Sequence, residues 1–312
     1  MIERPNVDAL MAGELGRFLQ GQVQVREAAK AKTNKRYFVS ALVLLPLLSF
    51  LWFTPLGDFR LFLTVAAGMG ALWWSRIPAM RAKKETKSGI NAAIAEALGL
   101  EYAHDCDGSH GFERAKSHKM FPNHQRSNFE DLWSGEITGL PFTLHEAHLQ
   151  ERRGSGKNRR WVTVFRGPVI TIGFKRTFHA TTLLERSGRH RKFLFFGEAD
   201  QITLDGVVLD KADMVHPDFE DTFTVFTSDQ TEARYLVHPV YIERLIALEQ
   251  AFQGQGIKTL FKDRELTIVL TTENMFESGS LNHQRDREMV EMSVAQFMAM
   301  AELCAALNEP ER

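Results

Sequence analysis

The run from Tyr37 to Gly57, YFVSALVLLPLLSFLWFTPLG, carries no charged side chain over 21 residues. As a helix it would extend roughly 31 Å, enough to cross the hydrocarbon of a bilayer. A second run, Leu61 to Ser75, has 15 uncharged residues and would cover about 22 Å. Arg60 and Arg76 close it, with stems long enough to reach headgroups, and Trp73 and Trp74 stand where an interfacial aromatic belt falls. The pair reads as a two-helix transmembrane hairpin, with a re-entrant or interfacial second segment as the alternative. The first run begins too far along the chain and is too long for a signal-peptide core, so permanent anchoring is expected.

Orientation follows from the flanks. Arg26, Lys30, Lys32, Lys35 and Arg36 precede the first run, and Arg76, Arg81, Lys83, Lys84 and Lys87 follow the second, whereas the connecting loop carries only Arg60. The positive-inside rule then places both termini in the cytoplasm of a multi-pass protein. Ala66, Ala67, Gly68, Gly70 and Ala71 allow close helix approach, to the first span or to another copy of the chain as a homo-oligomer. Pro46 implies a kink. Neither run holds an Asp, Glu, Lys, Arg or His, which removes the relay that a channel or pump needs.

Composition excludes further classes. With 38 Lys and Arg against 39 Asp and Glu and a pI near 6.8, no overall field attracts a polyanion, so no nucleic-acid partner is expected. Cys106 and Cys304 are too few and too far apart for a zinc quartet or disulfide framework. No cofactor is indicated.

The division expected is an amphipathic arm at 1–36, the hairpin at 37–79, a linker helix at 80–99 and an α+β domain at 100–312. The arm places Leu10, Leu15, Phe18, Leu19 and Val23 near helical spacing, and the linker does the same with Ile90, Ile94 and Leu98. From residue 100 the pattern turns to short alternating segments, which suit a mainly antiparallel sheet with packed helices. Strands are expected at 136–149 as a hairpin, at 161–174 with a break at Gly167 and Pro168, and near 193–196, 202–209 and 222–227. A helical stretch over 231–252, a hairpin at 257–272 and a helix at 286–307 complete it, the last with Val290, Val294, Phe297, Ala301 and Cys304 on one face.

Catalytic look-alikes fail on spacing. GSGKN at 154–158 lacks the first glycine and the hydroxyl of a phosphate loop, and reads as a basic loop. Its Arg152, Arg153, Lys157, Arg159 and Arg160, with Arg186, Arg189, Arg191 and Lys192, suit either solvent or anionic lipid headgroups. His145 and His148 are three apart in a strand and so point to opposite faces, unlike a zinc helix pair. DCDGSHG at 105–111 lacks the glycine and closing Glu of a calcium loop, leaving His104, Cys106, His110 and His118 as a remote transition-metal set. No metal site is nominated.

The segments VFRGPVITIGF (164–174) and DFEDTFTVFTSDQTEARYLVHPVYIERL (218–245) resemble the signature blocks of a bacterial family defined as a domain of unknown function, number 3137. The resemblance extends from about residue 20 to 305 and implies two N-terminal membrane spans ahead of the domain, hence a bacterial inner membrane. His238 departs from the small hydroxyl residue usual in the family at that position. The resemblance supplies no activity.

The second block also has a physical reading. Asp229 and Glu232 have capping-box spacing, and His238 before Pro239 suits the start of a second helix. Arg166 would share a strand face with Val162 and Val164, where an unpaired guanidinium is too costly, so Asp229 or Glu232 is its expected partner. Arg166, Asp229, Glu232 and Arg234 thus form the candidate cluster, a structural ion pair or an interaction site. No catalytic residue is nominated and a non-enzymatic role is favoured: a membrane-anchored interaction or scaffold protein binding a protein or lipid partner. The alternative is a membrane-tethered enzyme or anionic-ligand module using that cluster.

Overall fold

The computed structural model describes residues 4–55, 57, 59–174, 176–188, 199–214, 222–272, 275 and 280–308. They fall into two compact units, one of 6–93 with 277–291, the other of 94–276 with 292–312.

The first unit is helical. A short helix, α1 (Val7–Ala12), is capped by Asn6, whose side chain accepts from Asp8 N and Ala9 N. Two helices of 39 residues follow, α2 (Glu14–Trp52) and α3 (Phe59–Ala97). The expected arm and first span are therefore one helix through Pro46, and the expected second span and linker are another through Pro78. Phe18 lies so close to Gly89 that a Cβ there would stand 2.1 Å from the ring, so a larger residue would have to displace that ring. Further along, Ser40 Oγ lies 3.3 Å from Ser75 Oγ, and Arg36 donates to Trp74 O at 2.8 Å while its guanidinium stacks on that ring. Ala67 and Ala71 are half-buried along this seam, but Ala66 and Gly70 are exposed. Between these polar ends the large apolar side chains face outward, among them Phe38, Leu45, Phe50, Phe62, Val65 and Met69.

Arg26 is an exception to the exposed basic flank. It is buried, and its five N–H donors are all used: two on Asp286 at 2.6 and 2.7 Å, and the others on the carbonyls of Leu19, Gln22 and Ser280. Full satisfaction is the condition under which a buried guanidinium is tolerated.

The second unit is a ten-stranded antiparallel sheet in the order β1-β2-β3-β4-β10-β9-β5-β8-β7-β6. Its strands are β1 (Glu101–Asp105), β2 (Arg126–Ile137), β3 (Leu140–Arg153), β4 (Arg160–Gly173), β5 (Thr182–Arg186), β6 (Gln201–Leu204), β7 (Val207–Lys211), β8 (Phe223–Thr227), β9 (Gln255–Lys262) and β10 (Glu265–Thr271). The β2–β3 turn has Thr138 and Gly139 both at positive φ, as a two-residue hairpin turn requires. The strand expected at 193–196 lies outside the described residues.

β4 is continuous through Gly167 and Pro168, where a break was expected. Gly167 makes this possible: at φ 154° it lets the Leu270 carbonyl approach to where a Cβ would stand, 2.1 Å away.

Helices cover both faces of the sheet. On one lie α6 (Pro239–Ala251) and the later turns of α7 (Asp286–Asn308), with Tyr241 on Phe261 at 5.4 Å and Trp133 on Phe297 at 4.3 Å. The stripe Val290, Val294, Phe297, Ala301 and Cys304 of α7 is buried throughout, as its spacing predicts. On the other face Phe112 and Ala115 of α4 (His110–Ser117) join Leu149, Phe165, Val169, Leu183, Leu260 and Phe226. Because both faces are covered, β8 is buried at every residue.

The expected helical stretch at 231–252 divides into α5 (Gln230–Leu236) and α6, with His238 accepting from Tyr241 N ahead of Pro239 at the first turn.

Candidate functional site

The candidate cluster separates. Arg166 pairs with Glu146, Nε to Oε1 at 2.5 Å, and not with Asp229 or Glu232. Four strand steps part β4 from β8, which leads into Asp229, and that is about 19 Å at the usual strand spacing. The expected face was wrong for a local reason. The register slips at Leu149/Gln150, so that Phe165 opposes Leu149 but Thr163 opposes Gln150. Val164 is the extra residue of a β-bulge, and counting by twos across it misassigns Arg166, which shares a face with Glu146 and Thr163.

Asp229 caps α5, accepting from Thr231 N at 2.8 Å and Glu232 N at 3.0 Å. Glu232 does not complete a capping box: its carboxylate accepts from His179 N and Ala180 N, the nearest at 2.6 Å, while Asp229 N donates to Thr227 Oγ1. It thereby ties α5 to the chain entering β5. Arg234 donates to Asp213 O at 3.1 Å. All three act locally on the fold.

Around Arg166 the polar face of β2–β4 continues. His148 stands opposite Arg166, with Nε2 2.8 Å from Thr163 Oγ1. Its pKa is lowered first by burial and then by the charge of Arg166. Beyond Gln150, where β2 stops pairing, β3 and β4 run on alone to a tip bearing exposed Arg152, Arg153, Arg159, Arg160 and Trp161. Arg186 does not belong with this basic set, since it pairs with Glu249 and stacks on Phe223. Arg189, Arg191 and Lys192 lie outside the described residues.

A second constellation escapes sequence reasoning. Asp131 is fully buried and accepts from Tyr102 Oη at 2.6 Å, and its Oδ1 lies 2.8 Å from His104 Nδ1. Asp131 sits at φ 57° in another bulge, between Glu130 and Trp133. Tyr102 and His104 are two apart on one face of β1, a signal visible in sequence, but their carboxylate comes from the neighbouring strand β2, whose pairing with β1 the sequence does not reveal. On the other side of the ring, His104 Nε2 lies 3.9 Å from Asp105 Oδ1. Cys106 nearby is no thiolate nucleophile: burial, then the Asp131 charge, push its pKa up to about 11.

The remote metal set is likewise dispersed. His110 lies 3.6 Å from Glu265, and His118 engages Arg114 O and Lys262 Nζ at 2.9 and 3.2 Å. Among the described residues no three His, Cys, Asp or Glu converge as metal ligands. His145 and His148 do point to opposite faces. The His145 ring is buried beside Phe129, neither nitrogen has a hydrogen-bond partner, and burial lowers its pKa to about 4.

Comparison with known proteins adds a family. No curated protein matches the chain. Among solved structures, the crystal structure of the mycobacterial trehalose monomycolate transport factor A, TtfA, aligns over 74% of this chain and 99% of that one, at 10% identity and a TM-score of 0.35. A likeness that weak carries no functional argument. The model of the family described as "Protein of unknown function (DUF3137)" matches from within β4 to beyond α7, short of α2 and α3. The residues matched are 163–309, and over them the chain is similar to that family.

Proposed function

We propose that this chain is a membrane-anchored interaction or scaffold protein: α2 and α3 cross the bacterial plasma membrane as a hairpin, and the sheet domain binds a protein or lipid partner on the cytoplasmic side. The observation that carries this reading is the belt of outward-facing apolar side chains on both helices, Phe38 to Phe53 and Phe59 to Trp74. Water-soluble surfaces rarely carry so continuous an apolar patch. Arginine and aromatic groups close the belt at both ends: Arg36 on Trp74 and Arg76 donating to Tyr37 at one, Arg60 stacked on Trp52 at the other. Tyr37 and Trp52 stand about 23 Å apart along the helix, a span that snorkelling arginines extend toward the hydrocarbon thickness. The exposed Ala66 and Gly70 offer a surface for a second copy of the chain.

The alternative, an enzyme or anionic-ligand module at Arg166, Asp229 and Glu232, has lost its geometric basis, since those groups do not share a site. The anchor is tested by carbonate extraction of cell membranes. The wild-type chain stays in the pellet, whereas Leu45→Arg, which costs roughly 3 kcal/mol at a helix centre, shifts protein to the supernatant. Protease digestion of intact cells leaves a tag at either terminus protected. Release of the wild-type chain by carbonate rejects the anchor, and tag cleavage rejects the orientation.

A further inference from the structure

The β3–β4 tip has no explanation in the packing of the domain. From Glu151 onward neither β2 nor β10 pairs with it, and past the Arg152 N bond to Gln125 Oε1 at 3.2 Å a two-stranded ribbon projects beyond the sheet. A lone ribbon is marginal in water. Its register makes matters worse: Arg153 lies directly opposite Arg160, a like-charge cross-strand pair that destabilises the ribbon. Next to it Trp161, opposite Arg152, leaves 45% of its surface exposed. Against the basic side chains from Arg152 to Arg160 stands a single carboxylate, Glu151, already engaged by Arg153 at 2.9 Å. Cations held in mutual repulsion beside an exposed indole are the features expected of a surface that is completed by an anionic, amphipathic partner.

We propose that this tip docks onto an anionic lipid surface, with its arginines on headgroup phosphates and Trp161 at the interface. The proposal rests on the membrane-anchor reading, which keeps lipid close to the domain. It names the site and lipid charge class that reading left open. Lipid is favoured over a nucleic acid because the charge excess is confined to a short ribbon on a chain with a net charge of -1, and because an indole suits the headgroup boundary.

The test uses the full-length chain in phosphatidylcholine nanodiscs, titrated with vesicles of phosphatidylcholine alone or mixed with phosphatidylglycerol, and read by flotation. Vesicle binding is expected only with phosphatidylglycerol, is expected to weaken with salt, and should fall about fivefold for each of Arg152, Arg153, Arg159 and Arg160 changed to Gln. Trp161→Ala weakens it as well. These groups are exposed, so unchanged melting temperatures verify that the variants fold. Equal binding to both vesicle types, wild-type binding by the quadruple variant, or a short RNA bound in preference to the vesicles overturns the proposal. Anchoring is read in the same samples before vesicles are added, because a chain that does not insert leaves the discs whatever its tip does.

Discussion

Two helices of this protein, α2 and the segment that includes α7, are each long and apolar enough to cross a membrane, and they meet opposite fates. The most apolar stretch of α2 has none of its residues buried, whereas over half of the corresponding stretch of α7 is buried. What separates them is distribution. In α7 the apolar residues form one stripe, with Arg287, Glu291 and Glu302 on the other side, so a sheet face satisfies it. In α2 the residues from Phe38 to Phe53 are apolar all round, and one neighbouring helix covers only part of them. Overall apolarity thus says that a helix needs covering, and its periodicity says whether one face of a protein core can supply the cover.

Substitutions can break this contrast. Phe297→Ala, which empties a site against Trp133, is expected to cost about 3–5 kcal/mol in denaturant titrations in detergent, while Leu45→Ala at an exposed site leaves the transition in place. Equal losses would erase the distinction. Arg26→Met strands the Asp286 carboxylate and should cost about 3 kcal/mol or more, with Arg26→Met/Asp286→Leu recovering most of it; a double variant no better than the single one would argue against the pair.

His145 sharpens the sheet side of the comparison. Its folded pKa of about 4 lies below the ordinary 6.5, so between those values the unfolded chain binds a proton that the native chain refuses. Stability therefore falls as pH falls from 6.5 toward 4, by up to roughly 3 kcal/mol. Urea titrations at both ends of that window check it, and His145→Phe should flatten the slope. The smallest effect is expected for Asp229→Ala, about 1 kcal/mol for a lost helix cap, seen as a modest drop in melting temperature.

Features set by neighbours in the chain were legible in the sequence. The α7 stripe, the Asp229 cap, and the His238–Pro239 start of α6 all depend on residues within a turn or two, and each lies where spacing puts it. Features set by strand register were not. The bulge at Val164 shifts the count of faces and concealed the Arg166–Glu146 pair, while the Tyr102–His104–Asp131 group depends on the pairing of β1 with β2, strands 20 residues apart in the chain. β5 shows no alternation because its Thr182 to Glu185 are buried on both faces. α4 has no counterpart among the expected elements, its start marked by Ser109 accepting from Phe112 N. The candidate cluster failed for the same reason as β5 and the bulge: sequence proximity to a strand end does not reveal how many strands intervene.

The unbroken course of α2 has a mechanical consequence. At about 58 Å it is nearly twice as long as hydrocarbon is deep, and it stays one helix from Glu14 to Trp52 even through Pro46. Arg26, about a third of the way along that helix, ties it to Asp286 at the start of α7 through a buried, fully satisfied pair, so any strain on the contact is carried by a rigid element.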